Sequence, residues 1–348
     1  MRRPTDHHIK LMCDREDHSQ ASQIFSGHLV RTCFYPHHFS GYVYCKRSSH
    51  PYHRKEVVKH YDKLRSVPRE QLYKWLDCII KDFALLRNEP DFRVFEGGVG
   101  TGTISLTLIR ILSEQLSDWS FWGIDNSANM INELFKKLEF KELYRLYPDR
   151  IMIGLGDLES MHFPQEFFNI AVLGGVLHCL RRPEYVLNSL EATLKNNGTL
   201  IIVIQVDPWM RLISGDPQYF ENSSSDIPEW VFEFWRTYYS LRHKLNIPVD
   251  NRTSLIYSTE RVQQLVSCVS HLRYVGHRDL QWKVTFKSDT LIDIIRNGLA
   301  FGVGQNVSTK ERKDLGAEMQ KWLCERGLIH QEFTVTLTRR GMVWRKIP

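Results

Sequence analysis

Residues 93–105 read Arg-Val-Phe-Glu-Gly-Gly-Val-Gly-Thr-Gly-Thr-Ile-Ser, and this stretch decides the fold. An apolar run (Val94, Phe95) ends in an acid, Glu96, and three glycines follow at alternate positions, Gly98, Gly100 and Gly102. Apolar residues at helical spacing begin directly behind them (Ile104, Leu106, Leu108, Ile109, Ile111, Leu112). Strand, acidic glycine turn, helix is how a parallel α/β sheet builds a nucleotide site, because glycine permits positive φ and lets a ligand approach the backbone. The spacing narrows the ligand. A dinucleotide site uses G-x-G-x-x-G and seats a pyrophosphate on the helix N-terminus. Here the pattern is E-x-G-x-G-x-G, and the carboxylate inside the turn would repel a pyrophosphate. It suits a ligand with a positive amino group and no phosphate.

A second acid stands at the right distance. Phe121-Trp122-Gly123-Ile124-Asp125 is a short apolar run ending in Asp125, some twenty-odd residues past the glycines, where an acid binds both ribose hydroxyls. Asn126 and Ser127 follow, and Ser127 is placed to cap a helix carrying Met130, Ile131, Leu134 and Phe135. A ligand with an amino group, a ribose and no phosphate describes S-adenosylmethionine (SAM). Glu96, Gly98, Gly100, Gly102, Asp125, Asn126 and Met130 are the expected cofactor contacts.

With these residues in place, the chain resembles the class I SAM-dependent methyltransferases, of the small-molecule type. Val-Phe-Glu-Gly-Gly-Val-Gly-Thr-Gly (94–102) resembles their first motif and Gly-Ile-Asp-Asn-Ser (123–127) their ribose acid. Ile-Gly-Leu-Gly-Asp-Leu-Glu-Ser-Met-His-Phe-Pro (153–164) is similar to the third segment, which implies that Asp157 binds the adenine amino group and Leu158 packs on the ring. Residues 168–178 and 194–203 resemble the fourth strand and the turn into the fifth. Tyr61-Asp62-Lys63-Leu64-Arg65 resembles an element that lies across the cofactor in relatives. That likeness implies that Tyr61 covers the site and Arg65 pairs with the cofactor carboxylate. The resemblance covers residues 55–206 well and the C-terminal part by layout. Three departures stand out: Gly97 and Val99 around the first glycine, Asn169 where an Asp is usual, and Asn197 where a Gly is usual, the last tolerable as a left-handed Asn.

The fold class expected is α/β: a Rossmann-like seven-stranded sheet with helices on both faces, the last strand antiparallel, plus a helical lid insertion. Strand and helix alternate through 92–96, 103–116, 120–125, 128–139, 150–154, 168–174, 184–195 and 199–205. Residues 55–87 read as helices split near Pro68. The expected organisation is a basic, His-rich extension over 1–54, the SAM-binding core over 55–206, an aromatic lid insertion over 207–257, and a C-terminal completion over 258–348 with a helical insertion at 288–328. In the completion, 272–287 and 333–345 are strands, Ser288-Asp289 caps a helix ending at Gly298, and Ser308-Thr309-Lys310-Glu311 is a capping box.

The chemistry expected is an in-line displacement, which needs alignment and exclusion of water and no covalent residue. His178, at the end of the fourth core strand, is the candidate base. Gln205 closes the fifth, and the rings of the insertion (Trp209, Tyr219, Phe220, Trp230, Phe232, Phe234, Trp235, Tyr238, Tyr239) would enclose an acceptor. Gln205, Trp209, Trp230, Trp235 and Tyr238 are the expected substrate contacts. Leu173-Gly174-Gly175-Val176 stands where base-amine methyltransferases carry Asn/Asp-Pro-Pro-aromatic, which argues against nucleobase amines and for a small-molecule acceptor, the acceptor atom being O, N or C.

Composition is that of an ordinary globular chain: 348 residues, 42% hydrophobic and 25% charged. No apolar run approaches a membrane span, and residues 1–8 lack the apolar stretch of a secretory leader, so none is expected. Seven unpaired-looking cysteines suggest reduced thiols and a cytoplasmic setting. The net charge of +6 sits wholly in residues 1–65, with twelve Lys/Arg against six Asp/Glu, while the remainder is balanced. That basic arm keeps an RNA- or protein-modifying methyltransferase as the second choice, and a non-catalytic SAM-fold subunit as the third. Cysteine and histidine interleave there without a C-x₂₋₄-C pair, so no metal is expected. Oligomeric state is left open.

Overall fold

In a computed structural model of the chain, the structure describes residues 28–33, 40–45, 51–65, 67–83, 85–86, 89–214, 226–247, 258–299, 303 and 307–348. Two short strands, β1 (His28–Cys33) and β2 (Ser40–Cys45), pair antiparallel within the extension. The interleaved Cys/His set of the extension lies largely outside the described residues, as do Tyr219 and Phe220.

The main sheet is built from β3 (Phe92–Gly97), β4 (Trp119–Asp125), β5 (Ile151–Leu155), β6 (Phe168–Gly174), β7 (Leu194–Gln205), β8 (Leu272–Lys287) and β9 (Glu332–Lys346), in the order β5-β4-β3-β6-β7-β9-β8. The first five pair in parallel and β9 runs antiparallel between β7 and β8. This is the Rossmann-like sheet the alternation implied. From β3 the chain first builds towards β5, then returns to lay β6 on the other side of β3. The crevice at that reversal is where open α/β sheets bind ligands.

Parallel strands are covered on both faces, so they alternate between two apolar environments. Val94, Ile170, Val172, Ile201 and Val203 point to one face. There they meet α2 (Arg69–Asp82), with Trp75, Leu76 and Ile79, and α3 (Thr103–Gln115), with Leu108 and Ile111. Phe95, Ala171, Leu173, Leu200 and Ile202 point to the other. They are covered by Val186, Leu187 and Leu190, and by Val262 and Val266, from two helices further along the chain. The break at Pro68 between α1 (Lys55–Arg65) and α2 follows from the exclusion of helical geometry before proline.

Two local expectations are corrected. The helix expected over 128–139 is two, α4 (Ala128–Lys136) and α5 (Leu138–Leu146), because Lys137 is extended and its ammonium pairs with Asp62 at 2.7 Å. Ser288 does not cap α10 (Ser288–Asn297): Lys287 holds the cap position and the Ser288 hydroxyl is buried in the first turn. The Ser308 box is as expected at α11 (Thr309–Glu325): Ser308 Oγ accepts the Glu311 N–H at 3.2 Å, and the Ser308 N–H donates to Glu311 Oε2 at 2.6 Å. Asn197 takes φ +63°, the left-handed turn a glycine would otherwise supply.

The remaining helices are α6 (Pro183–Thr193), α7 (Pro208–Ser214), α8 (Glu229–Lys244) and α9 (Thr259–Ser267). β8 and β9 stay paired from Leu272–Lys346 to Lys287–Glu332, whereas β7 stops opposite Arg339. The ribbon of 281–287 and 332–338 therefore runs on past the end of β7 by roughly 20 Å at ~3.4 Å per residue. It carries α7, α8, α10 and α11 as one helical layer: Trp209 stacks on Phe286, Trp230 meets Phe333, and Phe234 meets Trp322.

Candidate active site

The glycine turn is held from three sides. Gly98 N–H and Val99 N–H both donate to Ile124 O, at 2.8 and 3.0 Å, which fastens the turn to the end of β4. Gly98, Gly100 and Gly102 take φ of +77°, +54° and +85°. At Gly102 a Cβ would lie 2.3 Å from Leu134 Cδ1, so α4 packs directly on the backbone; at Gly100 a Cβ would meet nothing within 4 Å. Gly102 therefore serves helix packing, and Gly100 borders open space. Gly102→Ala is expected to cost about 2–4 kcal/mol, combining strain and overpacking, and Gly100→Ala about 1 kcal/mol. Urea unfolding of the two variants checks the difference, and equal losses would contradict it.

Glu96 ends β3 with its carboxyl 1% exposed, and Oε2 accepts the Ser105 hydroxyl at 2.6 Å. Burial raises the carboxyl to about 8; the Ser105 hydrogen bond opposes the rise and the Asp125 charge adds to it. Asp125 ends β4, with Oδ2 accepting Gly100 N–H and Oδ1 accepting Ser127 N–H, each at 2.8 Å. Shielding from water raises it to about 6 in spite of those two bonds. Each oxygen keeps acceptor capacity for a hydroxyl. Ser127 caps α4, its hydroxyl accepting Met130 N–H at 3.3 Å, so Met130 is buried beneath the turn while Asn126 is exposed. Asp157 Oδ1 accepts Glu159 N–H at 3.0 Å and opens a short 3₁₀ turn, which aims Leu158 into the fold. A Cβ on Gly97 would lie 2.6 Å from Leu158 Cδ2 and 2.9 Å from Leu173 Cδ2. The unusual Gly97 thus has a packing reason the sequence did not disclose.

The segment before the core is clamped over this end of the sheet. Ser127 Oγ donates to Tyr52 O at 2.8 Å and Asn129 Nδ2 to His53 O at 2.7 Å. On α1, Asp62 meets the glycine turn, its carboxylate accepting the buried Thr101 hydroxyl. Tyr61, half-buried, sits edge-on to Tyr52 at 5.5 Å. The Arg65 side chain lies outside the described residues.

On the other side of the crevice, His178 is buried in the turn Leu177–Cys179 that follows β6. Gln205, at the end of β7, hydrogen-bonds Asp207. Asp207 accepts Met210 N–H at 2.8 Å and Thr338 N–H at 3.3 Å, capping α7 and tying it to β9. Burial raises Asp207 to about 6.

The aromatic contacts expected of the insertion are brought together, but mainly with one another. Trp209 stacks on Phe286 at 5.4 Å and meets Trp235, which stands edge-on to Phe234 and Tyr238. Tyr238 OH donates to Val303 O at 3.4 Å, and burial pushes this phenol up to about 12. Trp209, Trp235 and Tyr238 are all buried, while Trp230 is half-buried against Phe333. Asn169 accepts Arg93 N–H and donates to Glu89 at the opposite end of the strands, so its departure from the usual acid is remote from the site.

The sequence reading missed Ser105, Asp62 and Thr101. Ser105 had a signal: it is the polar residue on the apolar stripe of α3, with Leu108, Ile109 and Leu112 at +3, +4 and +7. Asp62 and Thr101 had none, since their meeting depends on where α1 docks.

Among known proteins, residues 95–202 match the model of a family described as "Methyltransferase domain". Curated relatives include three probable polyketide synthases of Dictyostelium discoideum. Number 29 is 25% identical over 138 residues, and number 38 is 28% identical over 140, each match covering 36% of this chain and 4% of the relative. Number 28 is 26% identical over 168 residues, covering 43% of this chain and 6% of the relative. The chain thus spans only a small part of the length of these relatives. Similar solved structures include the YcgJ protein from Bacillus subtilis, at 18% identity and TM-score 0.46, covering 79% of this chain and 99% of that one. A putative methyltransferase from Bacillus halodurans has 12% identity and TM-score 0.47, covering 78% and 98%.

Proposed function

We propose that this chain, whose residues 95–202 are a methyltransferase domain of the class I SAM-dependent type, moves a methyl group onto a small organic acceptor. SAM is the cofactor, and it supplies an electrophilic methyl on a sulfonium. The residues at the turn suit it: an open cradle at Gly100, a carboxyl on either side of the turn and, among the described residues, no cation recorded as acting on either carboxyl. Glu96 would take the amino group, Asp125 the ribose hydroxyls, and Asp157 and Leu158 the adenine. The segment 51–65 shields this half of the crevice from water.

The observation that carries a small acceptor is enclosure. Glu96 near the end of β3 and His178 in the turn after β6 are both buried, and the helical layer on the extended ribbon stands beyond the same edge of the sheet. Such a site excludes water and favours a compact acceptor over a duplex or a folded protein. Gly174-Gly175 after β6, in place of a Pro-Pro-aromatic element, agrees with this. So do the relatives named probable polyketide synthases, which favour an organic acceptor. His178 is the group offered as base where the acceptor arrives protonated, Gln205 fixes the end of β7, and of Trp209, Trp230, Trp235 and Tyr238 it is Trp230 that keeps surface to meet an acceptor.

Incubation with methyl-labelled SAM against separate small-metabolite, tRNA and protein pools tests the assignment. Label is expected in the small-metabolite pool. Label confined to tRNA or protein would overturn the small-acceptor reading and leave the methyltransferase standing.

A further inference from the structure

Glu96 belongs to the cofactor half of the site, but its surroundings say more than that it binds an amino group. Its two carboxyl oxygens are in different situations. Oε2 is taken by the Ser105 hydroxyl at 2.6 Å. Oε1 faces Gly174, where an added Cβ would come within 3.7 Å of it and 2.6 Å from Ile104 Cδ1. A hydroxyl has a single proton to donate, and Ser105 spends it on Oε2, which holds that oxygen and leaves Oε1, beside Gly174 at the end of β6, for another donor. Ser105 is itself fully buried on the apolar stripe of α3, where a hydroxyl without such a partner would be costly.

The elements packed around Glu96 supply little else that is charged. From β4 comes Asp125, a like charge. From β6 come Val172, Leu173 and Gly174, and from α3 Ile104 and Ser105, none of them ionisable. Asp62 on α1 is engaged with Thr101 and Lys137. Among the described residues no cation is recorded as acting on Glu96, so the opposite charge it suits is one a ligand brings.

We propose that Ser105 is a positioning residue that aims Glu96 at the amino group of SAM, and that SAM enters this site with release of one proton from Glu96. The proposal rests on the assignment of Glu96 to the amino group made above. In the ligand-free protein the carboxyl is 1% exposed, has one hydroxyl donor and has a like charge at Asp125; burial raises it to about 8, which favours the protonated acid at pH 7. Binding then runs from a carboxylic acid plus an ammonium to a carboxylate–ammonium pair plus one proton to solvent. The free α-amino group titrates at about 7.7–8.0. Above both values binding requires uptake of a proton instead. SAM affinity should therefore rise about tenfold per pH unit between pH 6 and 7, peak near pH 8, and fall beyond it.

The test is calorimetric titration of the full chain with SAM in two buffers of different ionisation enthalpy, at pH 6.5, 7.5 and 8.5. Wild type is expected to release close to one proton at pH 6.5 and to take up about half a proton at pH 8.5. E96Q should bind more weakly, with no proton release from Glu96. S105A removes the bond that favours the carboxylate, so its affinity maximum should move to higher pH, with about tenfold weaker binding at pH 7. S105C, similar in size and a weaker donor, should lie between. A merely structural role for Ser105 would lower stability and leave the pH of the maximum in place, which would overturn the positioning role. SAM binding by wild type without proton exchange would overturn the proton-linked entry while leaving SAM as the cofactor. Absence of SAM binding at any pH would overturn both.

Discussion

Glu96→Gln is expected to weaken SAM binding by roughly 10–100-fold and, at pH 8, to make the ligand-free protein more stable than the wild type. The first effect is the loss of a charge-assisted hydrogen bond, about 1.5–3 kcal/mol. The second follows from burial. In the unfolded chain Glu96 titrates near its ordinary value of 4.5, and in the folded protein it is raised to about 8. A group raised on folding lends stability that is complete below the unfolded value and is lost as pH climbs through the folded one. Between pH 5 and 8 the ligand-free wild type should therefore lose on the order of a few kcal/mol from this residue. Asp125 and Asp207, each raised to about 6 by burial, act in the same sense between about pH 4 and 6. Gln fills the same space without a charge to expel. Thermal melts at pH 5, 7 and 8 should show a falling wild-type curve and a flatter E96Q curve that crosses above it, with SAM restoring the wild type selectively. A wild type that gains stability from pH 5 to 8 would show that Glu96 is held charged in the ligand-free fold.

The largest stability loss is expected at Trp235. Its ring is fully buried and meets Trp209, Phe234 and Tyr238, at the centre of the layer carried by the extended ribbon. Trp235→Ala leaves a cavity that these rings cannot close and should cost about 3–5 kcal/mol. Trp230→Ala, from a half-buried ring against Phe333, should cost about 1 kcal/mol and act on the acceptor KM. The two variants separate packing from substrate contact: the first is read by chemical unfolding and the second by kinetics. A Trp235→Ala protein of unchanged stability with a raised acceptor KM would return that ring to the lid role and overturn the packing account.

The glycine turn, Asp125 and the Ser127 cap were legible because each is a local device whose residue types follow from backbone geometry. Asn197 was legible for the same reason, since a left-handed position accepts few side chains. The break at Lys137 was not: it answers to Asp62 on another helix, 75 residues earlier in the chain. Gly97 looked incidental in sequence because the side chains that require it, Leu158 and Leu173, arrive from two other strands' ends. The ribbon gave a signal that was read without its consequence. A 16-residue β8 and a 15-residue β9 beside a 12-residue β7, in a sheet whose other parallel strands have five to seven, must outrun the sheet.

By itself, then, the sequence determined the strand–turn–helix unit, the two acids that flank it and the alternation that forces a parallel sheet, all of them consequences of spacing within one segment. Only the tertiary structure decided what those acids experience and what the aromatics do. A carboxyl's charge state depends on the water and partners around it, and for Glu96 these come from α3, β4 and β6 together. A ring becomes core or lid according to which faces are already covered, and Trp209, Trp235 and Tyr238 find theirs covered by β8, β9 and each other.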